Sequence, residues 1–171
     1  QSKKMTWYGG LTFIEAIDSI KVSEALSDQP LRLPIQDIYK FDSRRILVGR
    51  IESGVLNIGD ELLFSPSNKT AIVSTFEHWG KKQGNNQAFS GQSVAFTLRD
   101  QIFVERGHMA SLIDTPPIET SVLQARIFWI SDKPLQVSDQ LTIKLATAEY
   151  QVQIQSIEGS INTDTLKFIP A

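Results

Sequence analysis

The stretch GRIESGVLNIGDELLFSP, residues 49 to 66, sets three glycines at equal intervals, Gly49, Gly54 and Gly59. A phosphate-cradling loop uses two glycines at that interval. It also needs a lysine and a hydroxyl directly after the second, to meet the phosphates and magnesium. Here Val55 and Leu56 follow Gly54, and Asp60 and Glu61 follow Gly59. Two carboxylates repel a polyphosphate, so the glycines read as turn residues, with Gly49 marking a bulge or close approach inside a strand. His78 and His108 are the only histidines and stand apart from any set of carboxylates at ligand spacing, which makes structural roles the expectation. No G-x-S-x-G elbow occurs; Ser53-Gly54 and Ser90-Gly91 read as turns. The acidic residues are too scattered to name a catalytic pair. No catalytic, cofactor-binding or metal-binding residue is therefore expected in this chain. Two clusters could meet nucleic acid: Arg44-Arg45, and Trp79, Lys81 and Lys82 within HWGKKQGNNQ. The blander reading of the second is a half-buried tryptophan beside a solvated hairpin tip.

The elements that would carry these residues are mostly short strands. LTFIEAIDSI is the exception, with Phe13, Ala16, Ile17 and Ile20 on one helical face and Thr12 and Glu15 in capping-box spacing. Its apolar face requires a partner, either the strands downstream or a neighbour outside this chain. From Arg32 onward, turn signals separate strands expected at 32–39, 45–51, 61–64, 71–79 and 93–99. Pro116-Pro117 in DTPPI marks a boundary. Beyond it, 122–129 alternates with two fairly apolar faces, while Leu141, Ile143 and Leu145 and then Tyr150, Val152 and Ile154 alternate with polar residues. The pattern predicts an all-β protein of two consecutive β-barrel domains, the second partial, preceded by a short helix. Three or four strands are too few to close that second barrel, so further strands are expected from elsewhere.

The chain has 171 residues, 41% of them hydrophobic, enough for a core. Its 17 basic and 19 acidic residues leave a net charge of −2, which argues against binding nucleic acid by phosphate neutralisation. The absence of cysteine removes disulfides, thiol nucleophiles and thiolate zinc sites, and fits a reducing cytoplasm. No apolar run approaches the roughly 20 residues of a membrane span, so no membrane partner is expected.

With these elements placed, three motifs align. MTWYGGLTFIEAID resembles the M-P-W-Y-x-G-x-T-L-L-E-A-L-D stretch that closes the GTPase domain of elongation-factor-like proteins, with Thr6 in place of proline. VGRIESGVLNIGDELLFSP resembles the second-domain signature of that superfamily. FSGQSVAFTLRD with VERGHM resembles its later G-x-x-V-x-x-x-L and R-G-D-[MV] pattern, with His108 where Asp is common. Beyond the diproline, ARIFWISDKPLQVSDQLTIKLATAEYQVQIQSI and SINTDTL are similar to the third domain of the large subunit of two-component bacterial sulfate adenylyltransferase. The resemblance implies four segments: 1–29, the end of the GTPase domain's last helix and a linker; 30–113, a domain II-like barrel; 114–118, a linker; and 119–171, part of a domain III-like barrel. It also implies a non-catalytic region of a regulatory subunit that couples GTP hydrolysis to sulfate activation. GTP and Mg would belong to a GTPase domain preceding residue 5, and a separate small catalytic subunit would be the partner. Trp7, Tyr8, Arg50 and Glu52 are the expected interdomain face. Two other readings stay open: domains II and III of a translation elongation factor binding aminoacyl-tRNA, and a free-standing β-barrel interaction module.

Overall fold

The computed structural model describes residues 7–20, 26–77 and 86–170. Six strands close into an antiparallel barrel in the order β1, β2, β7, β5, β4, β8. They are β1 (Leu33–Phe41), β2 (Arg44–Arg50), β4 (Glu61–Ser65), β5 (Lys69–Phe76), β7 (Ser93–Leu98) and β8 (Met109–Leu112). Alternation places Leu33 and Ile35, Leu62 and Phe64, and Ala71 and Val73 inside. Large residues face small ones across the ladder, Leu62 opposite Ala71 and Phe64 opposite Ala110, so the interior fills without crowding. A two-stranded ribbon, β3 (Val55–Asn57) with β6 (Gln87–Phe89), adds Leu56 and Ala88 to the core.

The regularly spaced glycines are turn and contact residues. Gly54 has φ 79°, and a Cβ there would lie 2.5 Å from Leu31 Cα. Gly49 pairs with Ile35 beside a bulge in β1, where a Cβ would meet the Pro34 carbonyl oxygen. The turn after β3 is closed by Asp60, whose carboxylate accepts the Asn57 amide at 2.7 Å.

The helix forms as α1 (Phe13–Asp18), with both capping-box bonds present. Thr12 N–H donates to Glu15 Oε2 at 2.7 Å, and Glu15 N–H donates to Thr12 Oγ1 at 3.3 Å. Phe13, Ile17 and Ile20 remain exposed, so the helix does not pack its apolar face on the downstream strands. The bond from the Thr12 amide holds the Glu15 carboxyl below its ordinary value, helped by the Thr12 side chain. A carboxylate with a lowered folded pKa stabilises above its unfolded pKa and loses that contribution as pH falls through the lowered one. We therefore expect the Thr12 amide resonance to titrate below the usual glutamate range, and Glu15→Gln to abolish the titration. A titration surviving in Glu15→Gln would contradict the assignment.

After the diproline, β9 (Gln140–Leu145) and β10 (Ala148–Gln153) form the expected hairpin. One face pairs Leu141 with Val152 and Ile143 with Tyr150. The other carries the Lys144–Glu149 ion pair and a Gln151-to-Thr142 hydrogen bond. A second hairpin, β11 (Gly159–Ile161) with β12 (Phe168–Pro170), turns on Asn162, whose side-chain oxygen accepts from the Thr165 amide at 2.8 Å. The strand expected over 122–129 is not formed: alternation marks a segment able to pair, but no aligned ladder partner meets it among the described residues. Ile118, Phe128 and Ile130 are exposed. No helix of the described residues is long and apolar enough to cross a membrane.

Candidate functional site

Among the described residues, the barrel meets distant parts of the chain at a cleft, at the diproline segment and at the β9–β10 hairpin. The first is a cleft of about 320 Å³ over β2, β5 and β7, lined by Arg44, Arg45, Thr75, Glu77, Thr97 and Arg99 among others. Arg44, at the start of β2 just after the turn residue Asp42 (φ 57°), reaches Glu77, the residue following β5, with its Nη1 3.2 Å from Glu77 Oε1. Its Nη2 lies 3.4 Å from Asp42 Oδ2. Thr75 Oγ1 donates to Glu77 Oε1 at 3.1 Å, so the 2.7 Å contact between Thr75 and Thr97 has Thr97 as donor. The result is a hydroxyl relay ending on a carboxylate already shared with an arginine. These groups can orient a ligand by hydrogen bonds, but they activate no nucleophile.

The second place is the diproline segment. Arg32, entering β1, donates from Nη1 to Thr115 O at 2.9 Å and from Nη2 to Pro116 O at 3.3 Å. One guanidinium thus holds two carbonyls of the proline-stiffened segment against the barrel. Nothing in the local pattern around Arg32 announced this, because its partners lie more than eighty residues away.

The third is the junction with the β9–β10 hairpin. The bulge between Ile35 and Asp37 disturbs the β1 ladder and exposes backbone acceptors. Ile35 O accepts from Gly107 N–H at 3.0 Å and from Thr147 Oγ1 at 2.8 Å, while Gln36 O accepts from Arg106 Nη1 at 3.1 Å. A Cβ on Gly107 would lie 3.2 Å from Ala148 Cβ, so the hairpin turn meets the backbone of the Arg106–His108 turn at close range. His108 serves this turn: its carbonyl accepts from Ile35 N–H and its Nδ1 accepts from Glu105 N–H. Removing the side-chain bond with Thr147→Val is expected to cost about 1 kcal/mol of hairpin docking. Amide exchange should then quicken in β9 and β10 alone; unchanged protection there would show that the bond does not hold the hairpin.

Trp7, Tyr8, Arg50 and Glu52, expected to share one face, are seen as two pairs in separate parts of the chain. Trp7 and Tyr8 stack edge to face at 5.9 Å ahead of α1, and Tyr8 Oη donates to Leu11 O. Arg50 and Glu52 are exposed on either side of buried Ile51. No hydrogen bond or ion pair among the described residues joins the two pairs. His78, Trp79, Lys81 and Lys82 lie outside the described residues. Of the Arg44-Arg45 pair, the first is held by carboxylates and the second stacks on Phe103 at 5.7 Å.

GTP and Mg do not fit the segment around Gly54 and Gly59. Gly54 is packed against Leu31 and Gln29, and the carboxylate after Gly59 is turned back onto its own loop, so neither glycine offers an amide cradle beside a cation.

No family model matches the chain. It is 34% identical to elongation factor 1-alpha of Desulfurococcus mucosus, over 99% of this chain and 39% of that protein. It is 38% identical to the Archaeoglobus fulgidus elongation factor 1-alpha, over 99% of this chain and 42% of the relative. Sulfate adenylyltransferase subunit 1 of Shewanella oneidensis is 30% identical over 94% of this chain and 33% of its own length. The chain thus spans well under half the length of these curated relatives. Among solved structures, Sup35 superposes with a TM-score of 0.65 at 21% identity, covering 95% of this chain and 40% of that one. Translation elongation factor SelB of Methanococcus maripaludis superposes at 0.50 and 19% identity, over 60% of this chain and 23% of its own. With 30–38% identity to both kinds of relative over 94–99% of its length, the chain belongs to the elongation-factor-like GTPase superfamily.

Proposed function

We propose that the chain is the non-catalytic β-barrel region of the GTP-binding large subunit of a two-component sulfate adenylyltransferase. The intact cytoplasmic assembly would couple GTP hydrolysis, on another domain, to adenylyl transfer from ATP to sulfate on a small subunit. The observation that carries this reading is Trp129, whose indole N–H donates to Lys133 O at 2.7 Å. That bond closes the turn before Pro134-Leu135, in the segment that resembles the sulfate branch. The Arg32 clamp and the Thr147 junction support a role as a body transmitting motion, because they tie linker and hairpin to one barrel.

The 34% and 38% identities to elongation factor 1-alpha favour a second reading, a translation factor whose barrel binds the acceptor end of aminoacyl-tRNA. The cleft supports it poorly, since Arg44 is already neutralised by Asp42 and Glu77. Labelled transfer RNA titrated at low salt separates the two: saturable binding at micromolar protein would reject the sulfate reading, and none is expected. We also assign Arg50 and Glu52, with Trp7 and Tyr8, to the interdomain face. Arg50→Glu in the intact large subunit should lower recovery of the small subunit in a pull-down. Unchanged recovery by a folded variant would discard that face.

A further inference from the structure

Phe103 lies between Ile102, packed against the core, and Val104, which is buried. Those flanking anchors turn its ring outward, where it is 55% exposed. Gln101 Nε2 donates to Ser43 O at 2.8 Å and ties the same loop to the turn between β1 and β2. Two cations from different strands use this one ring: the Arg45 guanidinium carbon lies 5.7 Å from its centroid and the Lys69 ammonium 5.6 Å. The ammonium also reaches Phe103 O at 3.5 Å. Arg99 lines the adjoining cleft with Arg45. Among the described residues no carboxylate lies within 4.0 Å of Arg45, Lys69 or Arg99, whereas Arg44, Lys144 and their acids are paired.

Unpaired cations gathered on one rim stand out in a chain of net charge −2. Stacking on the ring limits the rotamers of both long side chains while leaving N–H groups free, which lowers the entropy cost of binding an anion. We propose that the Arg45–Phe103–Lys69 cluster, with Arg99 beside it, docks an acidic protein segment through its Asp and Glu carboxylates. A nucleic-acid strand fits less well: base stacking needs an unoccupied aromatic face, and here Arg45 and Lys69 use the Phe103 ring while Arg44 lies over Phe41. Asp42, Glu77 and Asp100 nearby also interrupt any continuous track for phosphates. The inference does not depend on which branch of the superfamily the chain serves.

Fluorescence anisotropy of a short labelled Glu/Asp peptide, titrated with the full chain at low and physiological ionic strength, tests this. Binding should weaken about tenfold in the Arg45→Gln/Lys69→Gln double variant and persist in Lys167→Gln, whose charge lies off the cluster, just before β12. Phe103→Ala should weaken it as well, although both charges remain. Equal binding by the double variant, or no binding by the parent chain, overturns the proposal. So does a single-stranded RNA of equal charge that binds more tightly with the same dependence on Arg45 and Lys69. Matching thermal melts of the variants and the parent establish that folding is intact.

Discussion

Gly54→Ala should be the most damaging single-methyl change in the barrel, costing about 3 kcal/mol or more. Two penalties combine at this position. The backbone sits at φ 79°, and the new Cβ would lie 2.5 Å from Leu31 Cα, 2.6 Å from Leu31 N and 2.9 Å from Gln29 O. These are backbone atoms of the segment entering β1, so no side chain can swing aside. Relief requires moving that segment, and Leu31 is part of the buried core. Gly91→Ala isolates the first penalty: its φ is 85°, but no atom lies within 4 Å of the added methyl. It should cost only about 1–2 kcal/mol. Denaturant midpoints for the two variants decide the matter. Equal losses would mean that close approach contributes nothing and that conformation alone requires the glycine.

Phe96→Ala should destabilise the barrel by about 3–5 kcal/mol, the range for emptying a fully buried aromatic site. Phe96 is fully buried in β7, with Leu47 of β2 opposite on one side and Phe76 of β5 on the other. β7 and its two neighbouring strands therefore lose packing together, and a closed barrel cannot collapse onto the void without breaking ladder bonds. Against a typical domain stability of about 5–15 kcal/mol, that is a large share. Phe128→Ala provides the contrast, because its ring is 96% exposed and should change the midpoint by less than about 0.5 kcal/mol. A Phe96→Ala loss near that of Phe128→Ala would contradict this packing.

Much of the barrel was legible because its strands obey period two between strong turn signals. β1, β2, β4, β5 and β7 form within the expected stretches, give or take a few terminal residues. β8 escaped notice because Ala110 and Ser111, adjacent in sequence, are both buried: as the closing strand it is packed on both faces and shows no alternation. β6 is only three residues long and makes sense only opposite β3. The segment 122–129 is the converse, a pattern fit for pairing without a partner in register. The candidate site was less legible still. Arg44 and Arg45 look alike in sequence, yet one is neutralised by Glu77 and the other stacks on Phe103, thirty-three and fifty-eight residues away.

The sequence by itself determined whatever depends on neighbours along the chain: the capping box at Thr12 and Glu15, the turns at Gly54 and Gly59, and the alternating hairpin after the diproline. Each rests on sterics, charge or hydrogen bonds spanning a handful of residues, so composition and spacing suffice. Tertiary structure decided the closing of the barrel by β8, the hold of Arg32 on the diproline segment, the seat of Thr147 on the β1 bulge and the division of labour among the arginines. Those outcomes depend on strand register, and register brings together groups whose separation in the chain carries no information about their distance in space.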